Sequence, residues 1–428
     1  MANAVQQKKN LMAALGAVNK AYGAGTIALA SQVAFAHLTR IPTGIFSLDM
    51  EIGGGLPKGR FTMVVGEEAT AKTTLFLFIA ANFQHTCRKC LSPFQWYTDE
   101  EVDPATGEIL KQDMVVTEAC ACGANEPHTV ALFDSEGHFD PMWAASLGVD
   151  VPTLIVIQPQ HAEQGVDVVN KLLRTGELDL VGIDSVAMMT PGVEVEESAE
   201  KMTVGSMARI WNKAMRTFQA SLNSLGMNNP NKPAIYMVNQ FREKVGVMYG
   251  DPTTWPGGKG QNFASSIIIS MRRGKAIDQN GNVGGKDDTK VGSEFFFKTE
   301  KNKVFPPLKK GSFKLYSTDV PALGVRKGSV NNFEQMMGYA VKLGVIKQSG
   351  AWYDLTSTFG DAFKNPLSKN GTFQGLDSVV SFLQQDKAKV KTVSDRILAE
   401  VKMQNRGALP SSGDEPEVVD LVPDEAAA

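Results

Sequence analysis

The sequence predicts an α/β fold, a mostly parallel sheet covered by helices with smaller units attached. Three observations carry that prediction. An apolar run, Phe61-Thr62-Met63-Val64-Val65, leads into the loop Gly66-Glu67-Glu68-Ala69-Thr70-Ala71-Lys72-Thr73-Thr74 and then into a helical segment over 75–83. Short apolar segments at 130–133, 153–157, 178–183, 234–238 and 266–271 alternate with helical ones, the pattern of parallel strands joined by crossover helices. Several of these segments end in an acid or an amide, at the sheet edge where ligands bind in such folds.

Bulk properties set the bounds. The chain has 428 residues, 21% charged and 43% hydrophobic, enough for two or three domains and a substantial core. The net charge is −3, so a nucleic-acid surface, if there is one, must be local. No apolar run is long enough to span a membrane, and the first seven residues lack an apolar signal core. The 4 cysteines do not make a secreted disulfide scaffold, so a cytoplasmic setting is expected.

The elements follow in order. Leu11, Leu15, Val18 and Tyr22 recur at helical spacing and Gly23 is a stop signal, so residues 1–40 read as an N-terminal helix over 5–22 and a linker. That helix is free to pack on its own subunit or on a neighbour. Residues 41–310 form the core, interrupted at 84–128 by a polar insert that carries every cysteine. The Gly- and Lys-rich segment 272–292 is expected to loop out. Residues 311–406 form a small C-terminal α+β domain, helical from about 330, with Trp352 and Phe382 as expected core anchors. Residues 407–428 are rich in Ala, Pro, Ser and acids with no Lys or Arg, and read as a disordered acidic tail that could compete with nucleic acid for basic loops.

The loop at 66–74 has the context of a phosphate-binding loop. Its backbone N–H groups and the following helix N-terminus favour negative charge at one point. Lys72 would reach the β- and γ-phosphates of ATP and Thr73 would sit on Mg²⁺. Ala71 stands where the pattern usually has a second glycine, which is cheap only if its φ is negative. The apolar strand ending in Asp184 supplies a carboxylate for the Mg²⁺ shell. A second strand ends in Asp134-Ser135-Glu136, and Glu136 is the candidate general base for an attacking water. Beyond it, Trp143 could stack on adenine and Asp140 accept from its amino group. A third strand ends in Asn239-Gln240, where Gln240 could sense the γ-phosphate.

Several segments, in order, resemble one family, the bacterial RecA recombinases. They are Met12-Ala13-Ala14-Leu15-Gly16, Pro42-Thr43-Gly44-Ile45-Phe46-Ser47-Leu48-Asp49, Gly54-Gly55-Leu56-Pro57-Lys58-Gly59-Arg60, Ile183-Asp184-Ser185-Val186-Ala187 and Asn239-Gln240-Phe241-Arg242-Glu243-Lys244-Val245-Gly246-Val247-Met248-Tyr249-Gly250. The last is the most specific, since generic P-loop ATPases lack it. The resemblance implies a RecA-type core and a DNA-dependent ATPase. Such a protein forms helical filaments on single-stranded DNA, pairs it with homologous duplex and promotes strand exchange in recombination and repair. A cellular or a phage-encoded copy would fit, and the divergent P-loop favours a phage-encoded one.

Two loops are then candidates for DNA. The first, about 191–205, precedes a helix with Arg209 and Arg216; the second spans 241–258. Arg209, Arg216, Arg242 and Lys244 can pair with phosphates, Gly257 and Gly258 admit a close backbone approach, and Val247 and Met248 suit wedging between bases. Lys301 and Lys303 match a family pair that reaches a neighbour's ATP, and Phe263 matches an interface residue coupling one ATP site to the next. The alternative is a ring-forming ATPase on the same core, a helicase or a branch-migration factor.

The insert departs from the family. Cys87 and Cys90, then Cys120 and Cys122, form two close pairs with 29 residues between them. Two thiolate pairs suit a tetrahedral Zn²⁺ in a zinc-ribbon-like unit, with His85 and His128 as possible substitutes. A polar insert of this size has little core and needs a staple. A protein partner could dock there.

Overall fold

The structure, a computed structural model, describes residues 2–23, 26–27, 38–102, 109–196, 206–226, 229–243, 253–254, 256, 260–284 and 290–405. Its centre is an eight-stranded sheet: β1 (Phe61–Gly66), β2 (Val130–Asp134), β3 (Ile155–Ile157), β4 (Leu180–Asp184), β5 (Ala234–Gln240), β6 (Ile267–Ile277), β7 (Gly292–Asn302) and β8 (Lys310–Tyr316). They lie in the order β3-β2-β4-β5-β1-β6-β7-β8. Every pair from β3 to β6 is parallel, and β7 and β8 add antiparallel strands at the far edge.

The buried strands explain the apolar runs in the sequence. Side chains alternate between the two faces of a strand. Phe61, Met63 and Val65 of β1 enter one core, with Trp211 and Phe218 of the helix Ser206–Ser224 and Val169 of the helix Ala162–Thr175. Val64 enters the other core, with Phe76, Ile79 and Phe83 of the helix Lys72–Gln84. Both faces are covered, as parallel sheets require. Gly182 in β4 permits this closeness, because a Cβ there would meet the Phe76 ring at 2.2 Å.

Three expectations need correction. The eighth strand, Lys310–Tyr316, belongs to the central sheet, so the core continues past residue 310. Strand β6 runs to Ile277 and pairs with β7, so the first part of 272–292 is sheet and not loop. Trp352 is 45% exposed on a short three-stranded sheet, while its neighbour Tyr353 faces inward. The core of this C-terminal unit is built from Met337, Ile346, Leu355, Val379, Leu383 and Ile397, with Phe382 packed at its margin.

The N-terminal helix, Ala2–Tyr22, leaves Leu11 55% and Tyr22 78% exposed. The insert is an antiparallel hairpin, Gln95–Val102 with Ile109–Glu118, flanked by the cysteine pairs. It is docked on the core: Trp96 Nε1 donates to Gln84 O at 2.8 Å and Thr98 Oγ1 to Asp150 Oδ2 at 2.7 Å. No described helix is long and apolar enough to cross a membrane. The tail from residue 406 lies outside the described residues.

Candidate functional site

The loop after β1 wraps a cavity of about 350 Å³ lined by Glu68 to Thr74, Glu136, Asp184, Gln240 and Arg273. Its geometry starts at Gly66, where a Cβ would meet Thr70 Oγ1 at 2.6 Å and Met271 O at 2.7 Å. Only glycine fits that approach. Thr70 Oγ1 then donates to Glu67 O at 2.8 Å, closing the loop on itself. Ala69 and Ala71 have φ of 56° and 63°. Ala71 therefore sits in the left-handed region, the conformation in which its Cβ is unfavourable, at a cost of about 1–2 kcal/mol. It caps the helix Lys72–Gln84, whose first-turn N–H groups have no partners within the helix and face the cavity end.

Charge accumulates here. Lys72 is buried and its Nζ donates to Glu67 O. Burial lowers its pKa, while Asp184, Glu136, Glu68 and Glu67 oppose that shift. The Thr73 hydroxyl donates to Asp184 Oδ2. Burial raises the Asp184 carboxyl to about 6; Thr73 and Lys72 act against this, and Glu136 and Asp134 add to it. A hydroxyl and a crowded carboxylate, side by side beneath a phosphate loop, form a donor set suited to a hard divalent cation.

Glu136 is held by its neighbours. Asp134, at the end of β2, accepts the backbone N–H groups of Glu136, Gly137 and Phe139 at 3.2, 2.9 and 3.1 Å, and Gln158 Nε2 at 3.1 Å. Ser185 Oγ donates to Glu136 Oε1 at 2.6 Å. Asn239 Nδ2 donates to Gln261 Oε1 at 3.0 Å, tying the end of β5 to the helix Gly260–Ala264, and Gln240 beside it lines the cavity.

The structure thus brings together the phosphate loop, Glu136, Asp184 and Gln240. Asp140 and Trp143 are not among the cavity's lining residues. The Asp140 carboxylate caps the helix Pro141–Ser146 through Met142 and Trp143 N–H, and Lys327 Nζ lies 5.2 Å over the Trp143 ring. Lys301 and Lys303 also stand apart: their ammonium groups donate to the carbonyls of Asn262 and Phe263. Phe263 is 74% exposed.

Arg209 and Arg216 line a separate groove of about 1050 Å³ with Lys213, Phe263 and Ala264. Lys213 was missed in the sequence, although its i+4 spacing from Arg209 puts it on the same helix face. Arg273 was missed as well; it follows Arg272 late in β6, where alternation alone could have aimed it at the cavity. Arg242 lies in a two-residue strand paired with Thr254. Lys244, Val247, Met248, Gly257 and Gly258 fall outside the described residues.

In the insert, the Sγ atoms of Cys87, Cys90, Cys120 and Cys122 all lie within 4.8 Å of one another. The Cys87–Cys122 and Cys120–Cys122 separations are 3.8 and 3.5 Å. A tetrahedron with Zn–S bonds of about 2.3 Å has edges of about 3.8 Å, so the group can hold a metal. The Asn125 N–H donates to Cys120 Sγ at 3.2 Å, and Ser92 lowers the Cys90 thiol to about 5. The histidines are engaged elsewhere: His85 Nε2 lies 3.1 Å from Gly148 O, and His128 Nδ1 lies 3.2 Å from Asp179.

Comparison with known proteins gives one answer. The family described as the RecA N-terminal domain matches residues 9–105 and 111–320. A Protein RecA from Teredinibacter turnerae is 33% identical over 93% of this chain and 95% of its own length. Those from Ruminococcus albus and Tropheryma whipplei are 30% and 31% identical, over 94% and 92% of this chain and 85% and 74% of theirs. With the domain match spanning well over half its length, the chain belongs to the RecA family.

Proposed function

We propose that this protein is a DNA-dependent ATPase that assembles into filaments on single-stranded DNA, pairs that strand with homologous duplex and promotes strand exchange. The observation that carries the ATPase is the meeting of Thr73, Asp184 and Glu136 at one phosphate-loop cavity. In this reading ATP lies with its triphosphate along the loop. Lys72 neutralises the β- and γ-phosphates, and Thr73 and Asp184 would hold Mg²⁺, which supplies charge neutralisation at the same oxygens. Glu136 orients a water and accepts its proton as the new O–P bond forms and the bond to the ADP oxygen breaks. Gln240 senses the γ-phosphate at the root of the second DNA loop. Trp143 stacking on adenine and Asp140 accepting from its amino group rest on the sequence reading of a flat ring and a carboxylate beyond the loop.

Filament assembly is supported by what the single chain leaves unused. The N-terminal helix exposes apolar residues, and Lys301, Lys303 and Phe263 stand away from their own cavity. A neighbour's cavity is where those cations would act. For DNA, Arg209, Lys213 and Arg216 give a basic helix face, and Arg242, Lys244, Val247, Met248, Gly257 and Gly258 are assigned the same partner from the sequence. The four cysteines are assigned a structural Zn²⁺.

The test is ATP turnover with and without single-stranded DNA, with electron microscopy of the same samples. DNA-stimulated turnover with extended helical filaments is expected. Closed rings, or turnover indifferent to DNA, would favour the ring ATPase.

A further inference from the structure

The insert and the core meet at one side chain. Arg88 lies between Cys87 and Cys90, and its backbone N–H donates to Glu126 O, in the segment that follows the second cysteine pair, at 2.8 Å. Its guanidinium leaves the insert. Nη2 donates to Gly176 O at 2.9 Å, Nη1 meets Glu177 Oε2 at 3.0 Å, and Nε lies 3.4 Å from Asp179 Oδ2. Asp179 is fully buried. Its carboxylate also receives Lys58 Nζ at 2.7 Å and the Thr129 N–H at 3.1 Å, with His128 beside it. Burial opposes ionisation of Asp179, but the His128 contact and the Lys58 charge prevail and hold its pKa down. Asp179 immediately precedes β4, the strand that ends in Asp184.

We propose that the metal ion of the insert acts through Arg88 as a clamp on the strand that carries Asp184. The proposal rests on reading the four cysteines as a zinc site. The ion ties both cysteine pairs together, the first pair fixes Arg88, and Arg88 holds Gly176 O and Glu177 through its Nη groups while placing its positive charge 3.4 Å from the buried Asp179. A guanidinium fixed in advance loses less rotamer freedom on binding, and a buried carboxylate stays ionised only while the positive charges around it stay in place. Losing the ion frees the Cys87–Cys90 turn, and the guanidinium drifts off Gly176 and Glu177 and away from Asp179. Arg88 is thus a positioning residue that links insert to nucleotide site without touching nucleotide.

The experiment uses the full chain. Zinc content is measured per chain, and hydrogen exchange and thermal unfolding are followed with and without a chelator for wild type, Arg88→Ala and Arg88→Lys. One zinc per chain is expected in all three. Chelation should speed exchange in β4 about tenfold or more and lower the wild-type Tm by about 4 °C or more. Arg88→Ala should show fast β4 exchange already, with little added by the chelator, and Arg88→Lys should lie between. If chelation speeds only residues 95–118, or shifts Arg88→Ala as much as wild type, the ion stabilises the insert alone and the clamp is wrong. A wild-type chain without zinc overturns the metal reading itself, and the clamp with it.

Discussion

Ser185 Oγ donates to Glu136 Oε1 at 2.6 Å, so the residue next to Asp184 in sequence aims a carboxylate two residues past the end of the neighbouring strand. One Glu136 oxygen is thereby occupied; the other, Oε2, faces His138 Nδ1 at 3.7 Å, beyond hydrogen-bond reach, and can take a water. Glu136→Gln keeps the shape and removes the base, so kcat should fall about 10²–10⁴-fold while nucleotide and DNA still bind. Ser185→Ala should lower kcat about tenfold with KM little changed, since it removes aim and not binding. Steady-state kinetics with single-stranded DNA decides both; a Glu136→Gln protein that turns over at the wild-type rate ends the assignment.

Ala71 has the φ of 63° that suits glycine. Ala71→Gly removes left-handed strain of about 1–2 kcal/mol, and the more flexible unfolded chain takes back about 0.4–1 kcal/mol. A small net gain is expected in urea unfolding. Ala71→Val should be clearly destabilising, because a β-branched side chain tolerates this region less well than Ala. A neutral Val substitution would mean that the loop does not hold this backbone in solution.

These two sites also mark what sequence could and could not reveal. The phosphate loop, Asp184 and Glu136 were legible because each sits at or within two residues of the end of an apolar strand, and period and spacing alone put them on one edge. Ser185 and Arg88 were not, because their roles come from partners brought near by folding: Arg88 meets Asp179, and Lys58 meets the same carboxylate from 121 residues away. Trp352 misled for the opposite reason. Its size suggested a core, but on a short strand the alternation gave Tyr353 the inward face. Residues 28–37 and most of 241–258, the loop expected to meet DNA, lie outside the described residues, so Lys244, Val247, Met248, Gly257 and Gly258 gain nothing from the fold.

Asp49 gives a pH prediction. Burial raises its carboxyl to about 7, against the hydrogen bonds from Thr43, whose N–H donates to Oδ1 at 2.8 Å. The folded pKa lies above the unfolded value of about 3.9, so the folded state holds the extra proton between those values. Its contribution is complete below about pH 4 and is lost as pH rises through about 7. Asp49→Asn keeps the acceptor and cannot ionise. Wild type should therefore lose roughly 1–3 kcal/mol relative to Asp49→Asn between pH 5 and pH 8 in urea unfolding. Parallel pH profiles for the two proteins would show that Asp49 does not titrate in this window.

Lys301 and Lys303 bind the carbonyls of Asn262 and Phe263 on their own chain, and neither lines its own phosphate cavity. Burial and the neighbouring Lys303 charge lower the Lys301 pKa. A second anion-binding partner, a neighbour's triphosphate, would relieve that repulsion on assembly. Lys301→Ala should then cost about 10³-fold in DNA-stimulated kcat, as loss of a finger residue does elsewhere, with nucleotide binding intact. Mixing decides between cis and trans action. Lys301→Ala subunits carry an intact Glu136, and Glu136→Gln subunits carry intact lysines. In a mixed filament half-sites of each kind meet, so the mixture should hydrolyse ATP faster than either protein alone. If the lysines served their own subunit's nucleotide, no junction would be complete, and the mixture would show only the average of two inactive proteins.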